Sequence, residues 1–494
     1  MSLYNEDDVK LLSENIERIK KEVDKEVLVV LEPKLQEMKE VQNIILSYIK
    51  SKKRKIYGGY AMNILIGKKN PKDMFYDPDE QPPDVDFYSP EPIQDLINIC
   101  NILEEKKYKY VKGQEAQHSE TYNIFVNLHK DPYCEISYTP KNIYNKMPYE
   151  EINGFMIIHP HFMSIDYFRM LNDPLLSYWR IEKSFKRFSL LLKHYPLPHN
   201  NNKYLDFGDM SPDATIGLDI IYKFLLNKTS TLTVGFYAYN YFLQQSKLKD
   251  KNIKQLQVPY YEIVSANYVN DCLELLDELK KNVIISKKIS HQEYTRFFQF
   301  TGYAVEIYIE DELIALIYDN NKKCFPYLDV PSINFSDNKT NTNQIIRLGT
   351  FNMCMMYNMI NIMRSRIFGD KDAKELYYTT VSHLIDMRKY YFDKNKKNFL
   401  DDTLFKDFVV KCVGETIKPT AEKQLKIEQR KKQGKSYSFR YEPSTDKDKG
   451  ESAKNYVFPN SSGNIITNEK YLKLVQNKQE KKDFSEEEEE SEEK

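Results

Sequence analysis

The chain of 494 residues has a single tryptophan, only 15 glycines and almost no net charge, at -1 from 72 basic and 73 acidic residues. It also lacks any run of about eighteen apolar residues, which excludes a helical membrane span. With 41% hydrophobic and 29% charged residues, a globular chain with packed cores remains. The start, Met1 to Lys10, is acidic and polar, without the basic, apolar and small-residue segments of a secretory signal, so a cytoplasmic protein is expected. The six cysteines (Cys100, Cys134, Cys272, Cys324, Cys354, Cys412) include no CxxC pair, and free buried thiols are expected. His159 and His161 are close in sequence but have no second ligand cluster, so no zinc site is expected.

The near-zero charge argues at first against a nucleic-acid partner, yet it is a sum of unlike parts. Residues Ser485 to Lys494 hold seven Glu and one Lys, a net of -6, so the rest of the chain carries -1 + 6 = +5. Between Lys418 and Arg440 stand eight Lys or Arg against two Glu, with Tyr437 and Phe439 interleaved. That composition suits a phosphate-facing segment, for which Lys431, Lys432 and Lys435 are the RNA-contact candidates; a solvated linker is the alternative.

Length sets a prior of about three domains. Apolar spacing predicts helix from Asp7 to about Lys52, broken at Pro33. Lys55–Tyr57 reads as a strand, Gly58-Gly59 as a turn, and Tyr60 to Ile66 as the start of a helix. Asp84 to Tyr88 reads as a strand, as do the stretches near Tyr122 to Leu128 and Tyr133 to Tyr138, with helix from about Pro92 to Lys106 and mostly helix from Ile165 to His194. From Glu442 on, the polar, charged composition predicts disorder, apart from a short helix around Tyr471 to Val475.

An internal repeat organises the middle of the chain. Ile56-Tyr57-Gly58-Gly59-Tyr60-Ala61-Met62-Asn63 returns as Thr233-Val234-Gly235-Phe236-Tyr237-Ala238-Tyr239-Asn240, and Pro83 to Ser89 returns as Pro259 to Ser265. The spacing agrees, with 24 residues between Gly59 and Asp84 and 23 between Phe236 and Tyr260. Cys134 to Tyr138 can be laid on Ile314 to Tyr318. At the matched positions the first copy carries Gly58-Gly59, Asp84, Asp86 and Glu135, and the second carries Gly235-Phe236, Tyr260, Glu262 and Ala315. An active α/β unit followed by a degenerate copy is expected. The boundaries read as 1–52 N-terminal helices, 53–198 active unit, 199–400 degenerate unit, 401–442 basic segment and 443–494 acidic tail.

Carboxylates two residues apart on a strand share one face, about 6 to 7 Å apart by strand rise, and with a third acid from a neighbouring strand they can hold one or two divalent cations. Mg²⁺ or Mn²⁺ suits such hard oxygen donors completed by substrate phosphates, and a Gly-Gly turn at a helix start lets backbone amides approach a triphosphate. Asp77 and Asp79 compete with Asp84 and Asp86 but flank Pro78 in a loop, and Asp131 beside Pro132 competes with Glu135 as third acid. Lys183, Lys186 and Arg187 share one helix face and could bind the nucleotide by neutralising its triphosphate; a plain solvated face is the alternative. Trp179 reads as a core residue rather than a base-stacking platform.

With a Gly-Gly turn (Gly58, Gly59), an Asp-x-Asp strand (Asp84, Asp86) and a later acid (Glu135), the chain resembles the nucleotidyltransferase superfamily. More narrowly it resembles the poly(A) polymerase catalytic subunits of large DNA viruses, the poxvirus and especially the mimivirus type, over roughly Lys53 to Tyr391. The gap before Asp84 is longer than usual there, and the third acid is Glu where Asp is commoner. The resemblance implies an α/β (α+β) nucleotidyltransferase-like domain with a degenerate repeat, a homodimer, host cytoplasm or virion as location, and template-independent transfer of AMP from ATP to an RNA 3′ hydroxyl. It implies that Asp84 and Asp86 bind two metal ions, that Glu135 helps hold the one at the hydroxyl, and that the glycines cradle the triphosphate. A terminal uridylyltransferase, a cyclic-oligonucleotide synthase and an inactive RNA-binding scaffold are the rivals.

Overall fold

A computed structural model describes residues 4–446 except 31–34, 78–81, 119, 128, 198–202, 295, 322, 336–338 and 433–438. By contacts the chain divides into two compact units, and not at the sequence boundaries 198 and 400. Unit 1 comprises Met1–Tyr138, Tyr149–Ile158 and the described part of Lys423–Phe458; unit 2 comprises Thr139–Pro148 and His159–Glu422.

Unit 1 is built on a mixed sheet of β1 (Lys55–Tyr57), β2 (Val85–Ser89), β3 (Lys112–Glu115), β4 (Thr121–Phe125), β5 (Cys134–Tyr138), β6 (Tyr149–Ile152) and β7 (Phe155–Ile158). The spatial order is β3-β4-β5-β2-β1-β7-β6, and the two-residue strand Arg440–Tyr441 is added outside β3. Strand β1 runs antiparallel to β2 and parallel to β7, and β2 runs parallel to β5. Alternation of side chains splits the sheet into two faces. Ile157, Ile56, Phe87, Ile136 and Tyr122 stand opposite one another on five neighbouring strands and are at most 1% exposed. Helix Pro92–Glu105 covers this face, with Leu96 filling the space over Gly113. The opposite face is left for polar residues.

In unit 2, β8 (Thr231–Val234), β9 (Tyr261–Ser265), β10 (Ile289–Tyr294), β11 (Ala304–Ile309), β12 (Glu312–Asp319), β13 (Phe325–Asn334) and β14 (Lys339–Gly349) take the order β10-β11-β12-β9-β8-β14-β13. Each strand repeats, in place and in direction, the one numbered seven lower. Helices Gly58–Lys69 and Gly235–Ser246 are both 12 residues long, and Pro92–Glu105 and Tyr268–Lys281 are both 14. The duplication read from short matches therefore extends to seven strands and their helices.

The repeated side chains have repeated tasks. Asn63 Oδ1 accepts from the amides of Phe75 and Tyr76, and Asn240 clamps the backbone N–H and C=O of Leu256. Ser89 and Ser265, at the ends of β2 and β9, each accept from the amide two residues on.

Several expectations are corrected. Cys324 and Cys412 form a disulfide, Cα atoms 5.3 Å apart, because the strand Cys412–Val413 pairs with the start of β13; the other four cysteines are free and buried. The third repeat match is one residue off: Asp86 faces Glu135 and Glu262 faces Leu316, so Leu316, not Ala315, stands where Glu135 does. Pro443–Asp446, at the start of the expected disordered tail, is a helical turn. The helix expected around Tyr471 to Val475 lies outside the described residues, as do Asp79 and Lys435. Among the described residues no helix is long and apolar enough to cross a membrane.

Candidate active site

Strand β1 ends at Tyr57 and the helix Gly58–Lys69 begins on the next residue. The turn requires a positive φ of 73° at Gly58, in the left-handed region that favours glycine. Tyr57, at the N-cap position, has extended backbone and supplies no side-chain cap. The helix therefore begins directly at a strand end on the acidic side of the sheet.

That side is defined by register. Tyr57 stands opposite Asp86, Asp86 opposite Glu135, and Glu135 opposite Asn123, so four strands contribute one polar row. Parallel pairing places Asp86 and Glu135 about 4.8 Å apart at the backbone. A Cβ added to Gly58 would lie 2.2 Å from Asp86 Oδ2, so the carboxylate rests against bare backbone at the helix start. Asp84 is exposed just before β2, where Val85 donates to the carbonyl of Tyr133.

A second row lies behind the first on the same face: Lys55, Tyr88, Ser137 and Thr121. Tyr57 and Tyr88 stack with centroids 4.0 Å apart, and the Tyr57 and Ser137 hydroxyls share a hydrogen bond of 2.8 Å. Burial, followed by the Asp86 carboxylate, holds the Tyr57 phenol well above its usual range, so it stays protonated. Lys55 is buried, and desolvation pushes its ammonium down to about 8, with the ring of Tyr149 beneath it at 4.9 Å. Sequence reasoning passed over this supporting row because each member looks like an ordinary strand residue; the alternation Lys55-x-Tyr57 was the available signal.

The donor set suits a hard divalent cation, since carboxylate oxygens side by side leave the remaining positions to phosphate oxygens and water. Among the described residues, however, no three His, Cys, Asp or Glu side chains stand close enough to form a complete ion site. Asp86 and Glu135 stand side by side, next to the helix start.

In the second copy the same geometry is closed. Gly235 has φ 62°, and a Cβ there would lie 2.6 Å from Glu262 Oε1. Glu262 is 1% exposed, and burial pushes its carboxyl up to about 7, against hydrogen bonds from Asn361 and Tyr318. Tyr260, at the position of Asp84, packs edge-on to Phe236 at 5.4 Å and shares a hydroxyl hydrogen bond of 3.0 Å with Tyr377.

The chain has counterparts among known proteins. A family described as "Poly(A) polymerase catalytic subunit" matches residues 43–177, and one described as "APMV, Putative poly(A) polymerase, catalytic subunit, C-terminal" matches residues 189–476. The putative poly(A) polymerase catalytic subunit of Acanthamoeba polyphaga mimivirus is 35% identical over 95% of this chain and 84% of its own length. The chain belongs to the poly(A) polymerase catalytic subunit family. The crystal structure of the Megavirus polyadenylate synthase superposes with a TM-score of 0.82 at 33% identity, covering 94% of this chain and 93% of that one. The putative catalytic subunit of African swine fever virus (strain Badajoz 1971 Vero-adapted) is 29% identical over 33% of this chain and 34% of its own length. Membership carries the enzyme class, a nucleotidyltransferase of RNA polyadenylation.

The remaining candidates of this poly(A) polymerase subunit lie elsewhere. Lys183, Lys186 and Arg187 belong to unit 2, on helix Ile181–His194; the two lysines are exposed and Arg187 is half-buried. Lys431 and Lys432 are exposed at the end of helix Pro419–Lys432. The described part of the basic segment is no solvated linker, because Arg430 is buried in a bidentate pair with Glu115 at 2.8 and 3.1 Å and Phe439 is buried edge-on to Tyr122 at 6.1 Å. Trp179 is not a core residue: it is 69% exposed.

Proposed function

We propose that Asp84, Asp86 and Glu135, with the helix start at Gly58-Gly59, form the centre where AMP is added from ATP to an RNA 3′ end without a template. The observation that carries this reading is the parallel register of Asp86 and Glu135 with the bare backbone of Gly58 against the Asp86 carboxylate. In the reaction the 3′ oxygen bonds to the α-phosphorus of ATP, the α–β anhydride breaks, pyrophosphate leaves and the hydroxyl proton is lost to solvent.

Asp84 and Asp86 would hold two divalent ions, Mg²⁺ or Mn²⁺, with Glu135 on the one nearer the hydroxyl, and those ions would supply Lewis-acid activation and charge neutralisation. The chain's own groups do the positioning. First-turn amides at Gly58 and Gly59 orient phosphate oxygens, aided by the helix dipole. The Tyr57–Tyr88 stack and the Ser137 hydroxyl hold β1, β2 and β5 in register, so the acids keep their separation. Asp131 is the weaker third acid, being exposed in a turn where its amide donates to His129.

The test is extension of a short RNA by the full chain with Mg²⁺ or Mn²⁺ and each NTP in turn. ATP alone should support extension. Asp86→Asn and Glu135→Gln should each lose activity by about 10³-fold, the scale of losing an electrostatic stabiliser, while still binding RNA; Asp131→Asn should stay active. Full activity in Asp86→Asn overturns the assignment, as do uridylate addition, a cyclic product formed without RNA, or RNA binding without any extension. Native mass of the full chain reads the homodimer that the family resemblance implies.

A further inference from the structure

The only tryptophan stands in water. Trp179 is 69% exposed and its neighbour Tyr178 is 72% exposed, in the turn Tyr178–Arg180 that leads into helix Ile181–His194. The indole is nonetheless held in place. Its N–H donates to the carbonyl of Leu176 at 3.1 Å, and the Arg180 guanidinium lies 4.8 Å from its ring. Large aromatic rings gain most from burial, so two adjacent exposed ones, with the indole held by specific contacts, form a surface rather than a packing remnant.

The surroundings indicate what that surface receives. The inner side of helix Ile181–His194 is fixed by Phe188, stacked on Tyr167 at 3.6 Å, and by Phe185, stacked on Phe399 at 5.5 Å. That packing turns Lys183 and Lys186 outward. From Tyr178 to His194 the segment carries Arg180, Lys183, Lys186, Arg187 and Lys193 against Glu182, a net of +4. The Lys186–Glu182 pair at 2.6 Å is exposed on both sides, so exchanging it for a phosphate costs little. A protein-binding core is depleted of charge; flat rings bordered by cations instead suit a polyanion with exposed base faces.

We propose that Tyr178 and Trp179 are a stacking platform for the bases of single-stranded RNA, with Lys183 and Lys186 on its phosphates. This rests on the polyadenylation reading and gives the RNA strand a contact on unit 2.

Because Trp179 is the sole tryptophan, the emission of the full chain reports on it directly. Titration with a 20-nucleotide oligoadenylate should quench that emission saturably, in step with RNA binding measured by anisotropy. Trp179→Ala should raise the RNA Kd by about fivefold to a hundredfold, the effect of losing one base stack, and Trp179→Phe should restore most of it. Replacing Lys183 and Lys186 by Gln should flatten the slope of log Kd against log salt by about 0.7 per phosphate contact. Unchanged emission at saturating RNA overturns the proposal. So does a fall in native mass in Trp179→Ala, which would make the platform a contact between copies. The Asp86→Asn variant separates this proposal from the catalytic one: it should quench normally without extending RNA, whereas extension by it alongside normal quenching overturns only the catalytic assignment.

Discussion

The Asp86 carboxylate occupies the space that any side chain on Gly58 would need, with Oδ2 2.2 Å from where a Cβ would sit. The second copy preserves the relationship at Gly235 and Glu262, 2.6 Å apart by the same measure. Glycine is thus retained in both copies, although only one keeps an open acidic face. The requirement belongs to the strand-turn-helix corner itself, and the two copies differ in whether the carboxylate beside it is buried.

Gly58→Ala should therefore damage both folding and activity. A left-handed conformation costs a non-glycine residue about 1–2 kcal/mol, and the added methyl must also displace Asp86. Gly235→Ala should cost similar stability, with RNA extension reduced far less at temperatures where the variant is folded. Urea unfolding beside extension rates checks this; equal loss of extension in both variants would deny Gly58 a special part in the site.

The Arg430–Glu115 pair joins residues 315 apart in sequence, and both side chains are only 9% exposed. Its neighbourhood is knit by the Lys423 ammonium on the Glu115 carbonyl at 3.0 Å and by the Glu115 amide on Phe439 at 2.9 Å. Arg430→Ala leaves a buried carboxylate without its bidentate partner and should destabilise by about 3–5 kcal/mol. Arg430→Met combined with Glu115→Leu should recover most of that loss, because apolar side chains of similar volume leave no uncompensated charge. Denaturant midpoints of the single and double variants give the answer.

Glu262 makes stability depend on pH in a direction opposite to an ordinary paired carboxylate. Burial raises its folded value to about 7, so between about pH 4.5 and 7 the folded chain binds more protons than the unfolded one. Its contribution is favourable below that window and is lost as pH rises through 7. Glu262→Gln removes the effect, so the variant should gain on the parent by roughly 3 kcal/mol at pH 8 and little at pH 4.5. A gap that is constant across this range would contradict the assignment.

The sequence already contained most of the acidic site because its geometry is local. A strand, a two-glycine turn and a helix start follow one another covalently, and Asp84-x-Asp86 lies on the next strand. The repeated Asn63 and Asn240 were visible for the same reason, each clamping a loop 12 to 16 residues further along. Glu135 was legible as an acid on a strand, but its place beside Asp86 depends on the β2–β5 register. The slip between Ala315 and Leu316 shows the limit, since one residue of register moves a side chain to the other face of a sheet.

By itself the sequence determined the duplicated α/β plan, the corner at Gly58 and the asymmetry between an acidic and a degenerate copy, all of which depend on neighbours in the chain and on strand period. Only the tertiary structure decided that Arg430 is a buried partner of Glu115, that Cys324 meets Cys412, and that Trp179 faces water while Phe188 takes the inner position. Those outcomes depend on which distant segment covers a given surface. Burial and pairing of that kind are set by packing across the fold, and no spacing within one stretch of chain encodes them.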